Sequence, residues 1–452
     1  MSAGLQIRGL ALEVLRRVER ESAYSNRALD SALDHPKIEG PDRRLCTELV
    51  YGVLRRQTSL DFALDCCTSR PLADVEPGLV RILRLAAYQL LHLDRVPARA
   101  AVHTAVELAR KERGERWARF ANAVLRRLER ERQSLPWPTW EDDPQLYLEV
   151  LGSHPRWLVQ RLLEQLGDEA RALIEANNQR PELTIRATRR AGGRDALAAR
   201  LAEHGLEAEP GRAAPGALWL RRAGALHGLP AFLAGELAVQ DEASQLVAHL
   251  LDPRPSERVL DACAAPGGKT CHIAELMEDR GRVDALDLHP GKVRAIRELT
   301  ARLRLDSVQP READATRPLQ PLPEAGYDRV LVDAPCSNSG TLRRHPERRW
   351  RLEPDAVSVL VDLQSTLLAN LAEVVRPGGT LVFSVCSVLR EEAEDVTERF
   401  LSDHPDYTIE PPVDRDGLSW QPFLTQEGAV RTWPHRHEMD GFYAVRYRRR
   451  ER

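Results

Sequence analysis

From Gln240 onward, short and nearly unbroken apolar runs alternate with glycine or proline turns and helical stretches, a pattern that few folds accommodate. Val259-Leu260-Asp261-Ala262 precedes Pro266-Gly267-Gly268-Lys269 and a helix to Met277. Val283 to Asp287 precedes a helix from Pro290 to Leu303, and Tyr327 to Asp333 forms a further run. Thr380 to Val385 forms another, following Pro377-Gly378-Gly379. Strands that are apolar on both sides belong in a parallel sheet with both faces covered. The alternation predicts a doubly wound α/β domain over residues 236–452.

The preceding chain obeys different periods. Residues 5–133 repeat apolar positions at three and four, as in Ala11, Val14, Leu15 and Val18, and again in Val80, Ile82, Leu83, Leu85, Ala86 and Leu90. Breaks at His35-Pro36, Pro71 and Val96-Pro97 separate the helices of an all-helical domain, placed at 1–135. Its last stretch, Arg110 to Arg132, holds nine basic residues and four Glu around Trp117 and Phe120, either a solvated ion-paired face or an RNA-facing one. Pro136 to Pro144 is too proline-rich for a helix and reads as a linker. Helices near Trp157–Leu166, Asp168–Asn177 and Ala196–Glu203, with strands at Leu183–Ala187 and 216–220, predict a small α+β domain over 145–235. A chain of 452 residues is long enough for three such cores.

Charge and cysteine usage narrow the function classes. With 65 Lys+Arg against 68 Asp+Glu the net charge is −3, so any nucleic-acid surface must be a local patch. The first residues lack the basic and apolar regions of a secretory signal, and no run approaches a membrane span. A cytoplasmic protein with reduced thiols is expected. None of the seven cysteines forms a C-x-x-C pair, and no metal is expected. Only four of the basic residues are lysine, namely Lys37, Lys111, Lys269 and Lys292, which singles out Lys269 in the glycine turn.

In a doubly wound sheet, ligands bind beyond the carboxyl ends of the strands. Cys263-Ala264-Ala265-Pro266-Gly267-Gly268-Lys269 follows the first strand, and its small residues let backbone approach a ligand at a helix start. It is neither the dinucleotide nor the Walker glycine pattern, and a tight turn alone would also use glycine. Asp287 lies twenty residues past Gly267, the spacing at which an acid meets ribose hydroxyls. Asp314 follows a third strand and could accept an adenine amino group, and Asp333 ends the fourth. Cys336 and Cys386 stand just past two strands. Either alone reads as a small buried hydrophobe; together they make a nucleophile plausible. Between them Arg343, Arg344, His345, Arg348, Arg349, Trp350 and Arg351 suit phosphate and base contacts, with a solvated charge run as the alternative.

Read in order, Asp261 to Thr270, Asp333-Ala-Pro-Cys-Ser337 and Ser384-Val-Cys-Ser387 resemble the first, fourth and sixth motifs of the Nop2/Sun family of S-adenosylmethionine-dependent RNA cytosine-C5 methyltransferases. Gly235 to Ser244, Arg344-His345-Pro346-Glu347, Trp350, Asp440-Gly441-Phe442 and Ser153 to Leu158 continue the likeness. Pro97 to Val106 is similar to a NusB-like RNA-binding domain. Val385 stands where the family usually has Thr, which leaves the thiol in place. The resemblance implies a multidomain protein with an all-α NusB-like N-terminal domain, a small α+β middle domain and a Rossmann-like methyltransferase domain. It implies S-adenosylmethionine as cofactor, with Cys263 to Lys269 at the methionine end, Asp287 at the ribose and Asp314 at the adenine. It also implies small-subunit ribosomal RNA as substrate and a monomer as the acting species. Cys386 would be the nucleophile, Asp333 would hydrogen-bond the cytosine ring, and Cys336 would assist proton removal or release. The residues alone leave open which thiol attacks. Transfer RNA as substrate, or an RNA-binding assembly factor without activity, are the competing readings.

Overall fold

The computed structural model describes residues 3–21, 23–34, 38, 40–221 and 226–451. The expected break at His35-Pro36, Lys37, and the terminal Met1, Ser2 and Arg452 lie outside the described residues. The chain divides into two units, one of Met1–Gln179 with Leu342–Arg351, the other of Arg180–Thr341 with Leu352–Arg452.

The described part of the first unit is helical. Helices Ala3–Arg20, Ser25–Leu33, Gly40–Arg55, Gln57–Asp65, Pro77–His92, Ala98–Arg113 and Glu115–Glu131 enclose one core. Pro77 begins the central helix, where its missing N–H leaves nothing unpaired. Leu79, Ile82, Leu83, Leu85, Ala86 and Leu90 bury most of that helix's circumference, as periodicity predicts. The basic stretch 110–132 is two helices, broken at Gly114, whose φ of +79° is a conformation other residues avoid. Arg110–Glu115, Arg126–Glu129 and Arg127–Glu131 pair along it, so much of its charge is balanced locally. The proline-rich 136–143 is not helical, yet Trp137 stacks on Phe62 at 5.2 Å and is fixed to the core. Helices Pro144–Val150, Arg156–Leu166 and Glu169–Asn177 complete this unit, the first capped by Asp143 accepting from the Leu146 N–H at 2.8 Å.

The second unit holds two sheets. β1 (Leu183–Ala187), β2 (Glu207–Pro210), β3 (Ala217–Arg221) and β4 (Leu237–Val239) form an antiparallel sheet in the order β2-β3-β1-β4. The larger sheet contains β5 (Arg258–Asp261), β6 (Arg282–Asp287), β7 (Val308–Glu312), β8 (Tyr327–Asp333), β9 (Val375–Val385), β10 (Tyr407–Ile409), β11 (Val430–Arg431) and β12 (Tyr443–Arg449). Its order is β10-β12-β9-β8-β5-β6-β7, with β11 paired to β12. Strands β5 to β9 run parallel, and Val259, Leu260, Leu331, Val382, Phe383 and Val385 are fully inaccessible, which explains their unbroken apolar runs.

The sheet is mixed: the expected parallel strands β5 to β9 are extended by antiparallel ones. β12 inserts antiparallel between β9 and β10, with Tyr443 opposite Val385 and Tyr447 opposite Ile409. Its Tyr-Ala-Val-Arg-Tyr-Arg-Arg sequence does not read as an apolar run. The buried Arg446 fits because its guanidinium donates to the carbonyls of Glu410 and Pro411 at 3.2 and 2.9 Å.

Candidate functional site

The chain adds β6 and β7 on one side of β5, then crosses to β8 and β9 on the other. Strand order therefore reverses between β5 and β8, and the crevice beyond their carboxyl ends is the expected ligand position. Asp261 ends β5, Asp287 ends β6 and Asp333 ends β8, so parallel pairing brings the predicted acids to one edge.

The turn Ala262 to Gly267 leads into helix Gly268–Leu276. Gly267 has φ +105° and its missing Cβ would lie 3.3 Å from the Ile296 backbone, so only glycine fits the turn comfortably. At Gly268 a Cβ would meet nothing within 4 Å, leaving open space beside the helix start. Asp261 is buried beneath, accepts from the Thr270 hydroxyl at 2.7 Å, and keeps its Oδ1 without a hydrogen-bond partner. Burial pushes its carboxyl up to about 7, with the nearby Asp333 charge adding to the rise and the Thr270 bond opposing it. Desolvation likewise pushes the Cys263 thiol up, so it is a neutral lining group.

Lys269 is the residue whose placement the sequence left most open. Its ammonium donates to Asp333 Oδ2 at 2.8 Å and sits 5.0 Å from the centre of the Phe442 ring. Burial alone would lower its pKa, but the Asp333 charge and hydrogen bond hold it above the usual lysine range. Asp333 Oδ1 accepts from the Ser384 hydroxyl at 2.7 Å, so both carboxylate oxygens have a donor. Asp287 is buried, accepts from the His289 N–H at 3.1 Å, and lies 3.6 Å from Lys292 Nζ. Asp314 is half-buried and its carboxylate accepts from the Thr316 hydroxyl and N–H. The Thr316 hydroxyl bond chiefly holds its carboxyl below the ordinary range.

The two predicted thiols converge. Cys386 follows β9, Cys336 lies three residues past β8, and their sulfurs are 3.4 Å apart. Cys336 is 8 % exposed, whereas Cys386 is half-buried. The hydrogen bond with Cys386 and then burial hold the Cys336 thiol well above the cysteine range, keeping it a neutral S–H. Asn338 joins the two loops: its Nδ2 donates to the Cys336 carbonyl at 2.7 Å, and its Oδ1 accepts from the Cys386 thiol at 3.2 Å. A Cβ on Gly340 would collide with the Gly441 backbone, and this close approach ties the loop after Cys336 to Asp440-Gly441-Phe442. Asn338 and Phe442 carry no catalytic signature of residue type, so their place beside Cys386 and Lys269 was not readable from residue chemistry.

The basic run between the cysteines requires a correction. Residues 342–351 belong to the first unit, and much of the run is packing rather than open RNA face. Arg349 is wholly buried and donates to the Ser153 carbonyl at 2.9 Å and Asn178 Oδ1 at 2.8 Å. Trp350 Nε1 donates to the Leu54 carbonyl, and Arg351 donates to the carbonyls of Val18 and Ala23. Arg343 is 7 % exposed. Arg344, His345 and Arg348 are half-buried, with Arg348 donating to the Tyr24 hydroxyl at 2.7 Å. Guanidinium N–H groups engaged with these main-chain carbonyls are not available to phosphate.

Among the described residues there is no cluster of His, Cys, Asp and Glu that could hold a metal, and no helix is long and apolar enough to cross a membrane.

Comparison with known proteins fits this geometry. Residues 248–448 match the family described as 16S rRNA methyltransferase RsmB/F, residues 5–130 the NusB family, and residues 154–227 a ferredoxin-like domain of RsmF/B-like methyltransferases. A probable ribosomal RNA small subunit methyltransferase B of Bacillus subtilis is 38% identical over 446 residues, covering 98% of this chain and 99% of its own. One from Synechocystis is 39% identical, covering 97% and 98%. The ribosomal RNA small subunit methyltransferase B of Citrobacter koseri is 32% identical, covering 97% of each. The crystal structure of PH0851 superposes with a TM-score of 0.83 at 28% identity, covering 100% of this chain and 99% of that one. A methyltransferase homolog from Pyrococcus horikoshii, also 28% identical, covers 68% of this chain and 99% of its own with a TM-score of 0.58. The chain belongs to the RsmB/F family of 16S rRNA methyltransferases.

Proposed function

We propose that this protein transfers a methyl group from S-adenosylmethionine to carbon 5 of a cytosine in 16S ribosomal RNA, through a covalent bond between Cys386 and the base. The contact of the two thiols at 3.4 Å, beside the Asp333–Lys269 pair, carries the reading. One buried and one half-buried sulfur next to a carboxylate serve no packing need that alanine or valine could not meet.

The site fits the methyl donor. Open space at Gly268, the unpaired Asp261 oxygen below it, and the acids at Asp287 and Asp314 suit a ligand with a cationic amino-acid end, a ribose and an adenine. Cys263 to Lys269 would line the methionine end, Asp287 the ribose hydroxyls and Asp314 the adenine amino group. When bound, the cofactor supplies an electrophilic methyl group on a sulfonium.

The residues of the chain do the rest. Cys386, the less enclosed thiol, passes its proton by way of water to the Asp333 carboxylate and adds its sulfur to carbon 6, and the electron pair of the 5,6 double bond becomes available at carbon 5 for the methyl group. Asp333, protonated in that step, donates to the ring at N3 and so stabilises the negative charge that develops there, with Lys269 fixing the carboxyl group. Once carbon 5 carries the methyl group, its proton passes to water, N3 returns its proton to Asp333, and the electrons of the C–H bond re-form the double bond and expel Cys386 from carbon 6 as a thiolate. Cys336 assists this step as a neutral S–H beside the departing sulfur. The cytosine must leave its stack to reach the thiols, at a cost of a few kcal/mol that an unpaired loop keeps small. Arg344, His345 and Arg348 remain the members of the basic run offered to RNA.

Methyl transfer from labelled donor to unmodified small-subunit RNA tests the reading, with transfer RNA as the competitor. Cys386→Ser should abolish transfer and leave donor affinity within about twofold, since the sulfur is absent from the donor's cradle. Full activity in that variant, or label at a position other than carbon 5, would overturn the assignment.

A further inference from the structure

The thiols sit at the ends of two loops, and something must hold those loops in register. Ser337 and Ser387, the residues immediately after Cys336 and Cys386, both point at one carboxylate, Glu392, which is 0 % exposed. Glu392 Oε1 accepts from the Ser337 N–H at 2.8 Å and from Gln364 Nε2 at 3.2 Å. Its Oε2 accepts from the hydroxyls of Ser337 and, at 2.6 Å, Ser387. Gln364 also donates to the Pro335 carbonyl at 2.9 Å, which extends the hold to the residue before Cys336. The Ser339 hydroxyl bridges Ser387 at 2.9 Å and accepts from the Val388 N–H at 3.0 Å.

We propose that Glu392 is a positioning residue for methyl transfer, a buried carboxylate that clamps the residues following both thiols and so sets their separation. This rests on the roles given above to Cys386 and Cys336. A buried carboxylate whose hydrogen-bond donors here are hydroxyls, an amide and a backbone N–H is an expensive way to fill space, and a neutral side chain would pack as well. Acceptor-only character is what the place requires, because every neighbour facing it offers a donor. Glutamine would turn an NH2 toward one of those donors, and alanine would remove the acceptor that four of their hydrogen bonds share. The negative charge also raises the Cys336 pKa, reinforcing its neutral state.

The test uses the full-length protein and two readouts. The first is the steady-state split for methylation of small-subunit RNA. The second is independent of RNA and donor: the rate at which diamide links Cys336 to Cys386, each thiol giving one proton and one electron to the N=N bond to leave a disulfide and a hydrazine. Mass spectrometry of the linked peptides reads it. Glu392→Ala should lower kcat about a hundredfold, with KM for RNA within about twofold, because a displacement near 1 Å suffices to disrupt attack. It should also slow linkage about tenfold or more by separating the sulfurs. Glu392→Gln, which keeps one acceptor, should fall between it and wild type in both readouts. Wild-type linkage in Glu392→Ala overturns the clamp. Slowed linkage with unchanged kcat overturns instead the roles assigned to the thiols, and with them the catalytic consequence of the clamp. Should Glu392→Ala fail to fold, Ser337→Ala combined with Ser387→Ala removes the hydroxyl arms while keeping the carboxylate. That pair must show both effects, or the proposal falls.

Discussion

Replacing Asp261 with asparagine isolates one buried carboxyl and a pH dependence of known sign. Its ordinary value of 3.8 is raised to about 7 in the fold, chiefly by burial. A carboxyl raised on folding favours the folded state only while protonated, so its contribution is complete below its unfolded value and disappears as the pH rises through about 7. The whole displacement corresponds to about 4 kcal/mol, of which roughly 2.5 kcal/mol falls between pH 5 and pH 8. Asparagine keeps an oxygen for the Thr270 hydroxyl, which donates at 2.7 Å, and cannot ionise. Thermal unfolding of wild type and Asp261→Asn, each measured at pH 5, 6, 7 and 8, should therefore diverge. The variant's midpoint should gain on wild type with rising pH, by roughly 5–10 °C over that range for a unit of this size. A midpoint difference that stays constant from pH 5 to pH 8 would refute the argument, because it would mean that Asp261 has the same affinity for protons folded and unfolded.

The other predictions concern single side chains. Cys336→Ser should slow release, so that a protein–RNA adduct resistant to denaturing gels accumulates; turnover like that of wild type removes Cys336 from the cycle. Lys269→Met should lower kcat about tenfold to a hundredfold by leaving Asp333 without its ammonium, and Lys269→Arg should restore it only in part, because a broad guanidinium must replace a compact ammonium whose side chain is only 12% exposed. Arg349→Met should destabilise the first unit by about 2–4 kcal/mol in urea unfolding, since it strands the Ser153 carbonyl and Asn178 Oδ1. Unaltered unfolding together with weaker RNA binding in that variant would return Arg349 to the RNA face.

Much of the candidate site's edge was legible because it depends on local sequence. Runs such as Val259 to Asp261 and Val330 to Asp333 announce strands through burial on both faces, and the acids and thiols that follow them inherit a common edge from the parallel pairing. What was not legible depends on contacts distant along the chain. The Lys269–Asp333 pair joins residues separated by 64 positions, and whether a lysine meets solvent, ligand or carboxylate is decided by the strand order. Glu392 lies in Arg390-Glu391-Glu392, which reads as a surface charge cluster, yet only its last member turns inward. The Arg343 to Arg351 run shows the reverse: its composition is that of a nucleic-acid face, but main-chain carbonyls of the first unit claim Arg349 and Arg351. β12 escaped because its arginines break the apolar alternation, while their long stems still cover the sheet.

The assignment of residues 342–351 to the first unit has a topological corollary. The chain crosses between the units at 179–180, at 341–342 and at 351–352, so they share three covalent connections. A single proteolytic cut at 179–180 severs residues 1–179 from the rest of the chain but leaves the first unit's decapeptide on the other fragment, so the first unit is then held together only by the hydrogen bonds and packing of 342–351. For the same reason a fragment starting at Arg180 would carry the displaced decapeptide as an orphan insert, its Arg349 stripped of Ser153 and Asn178 and its Trp350 of Leu54. Gene truncation at the domain border is accordingly a poor route to a minimal enzyme unless that insert is excised or rebuilt as well.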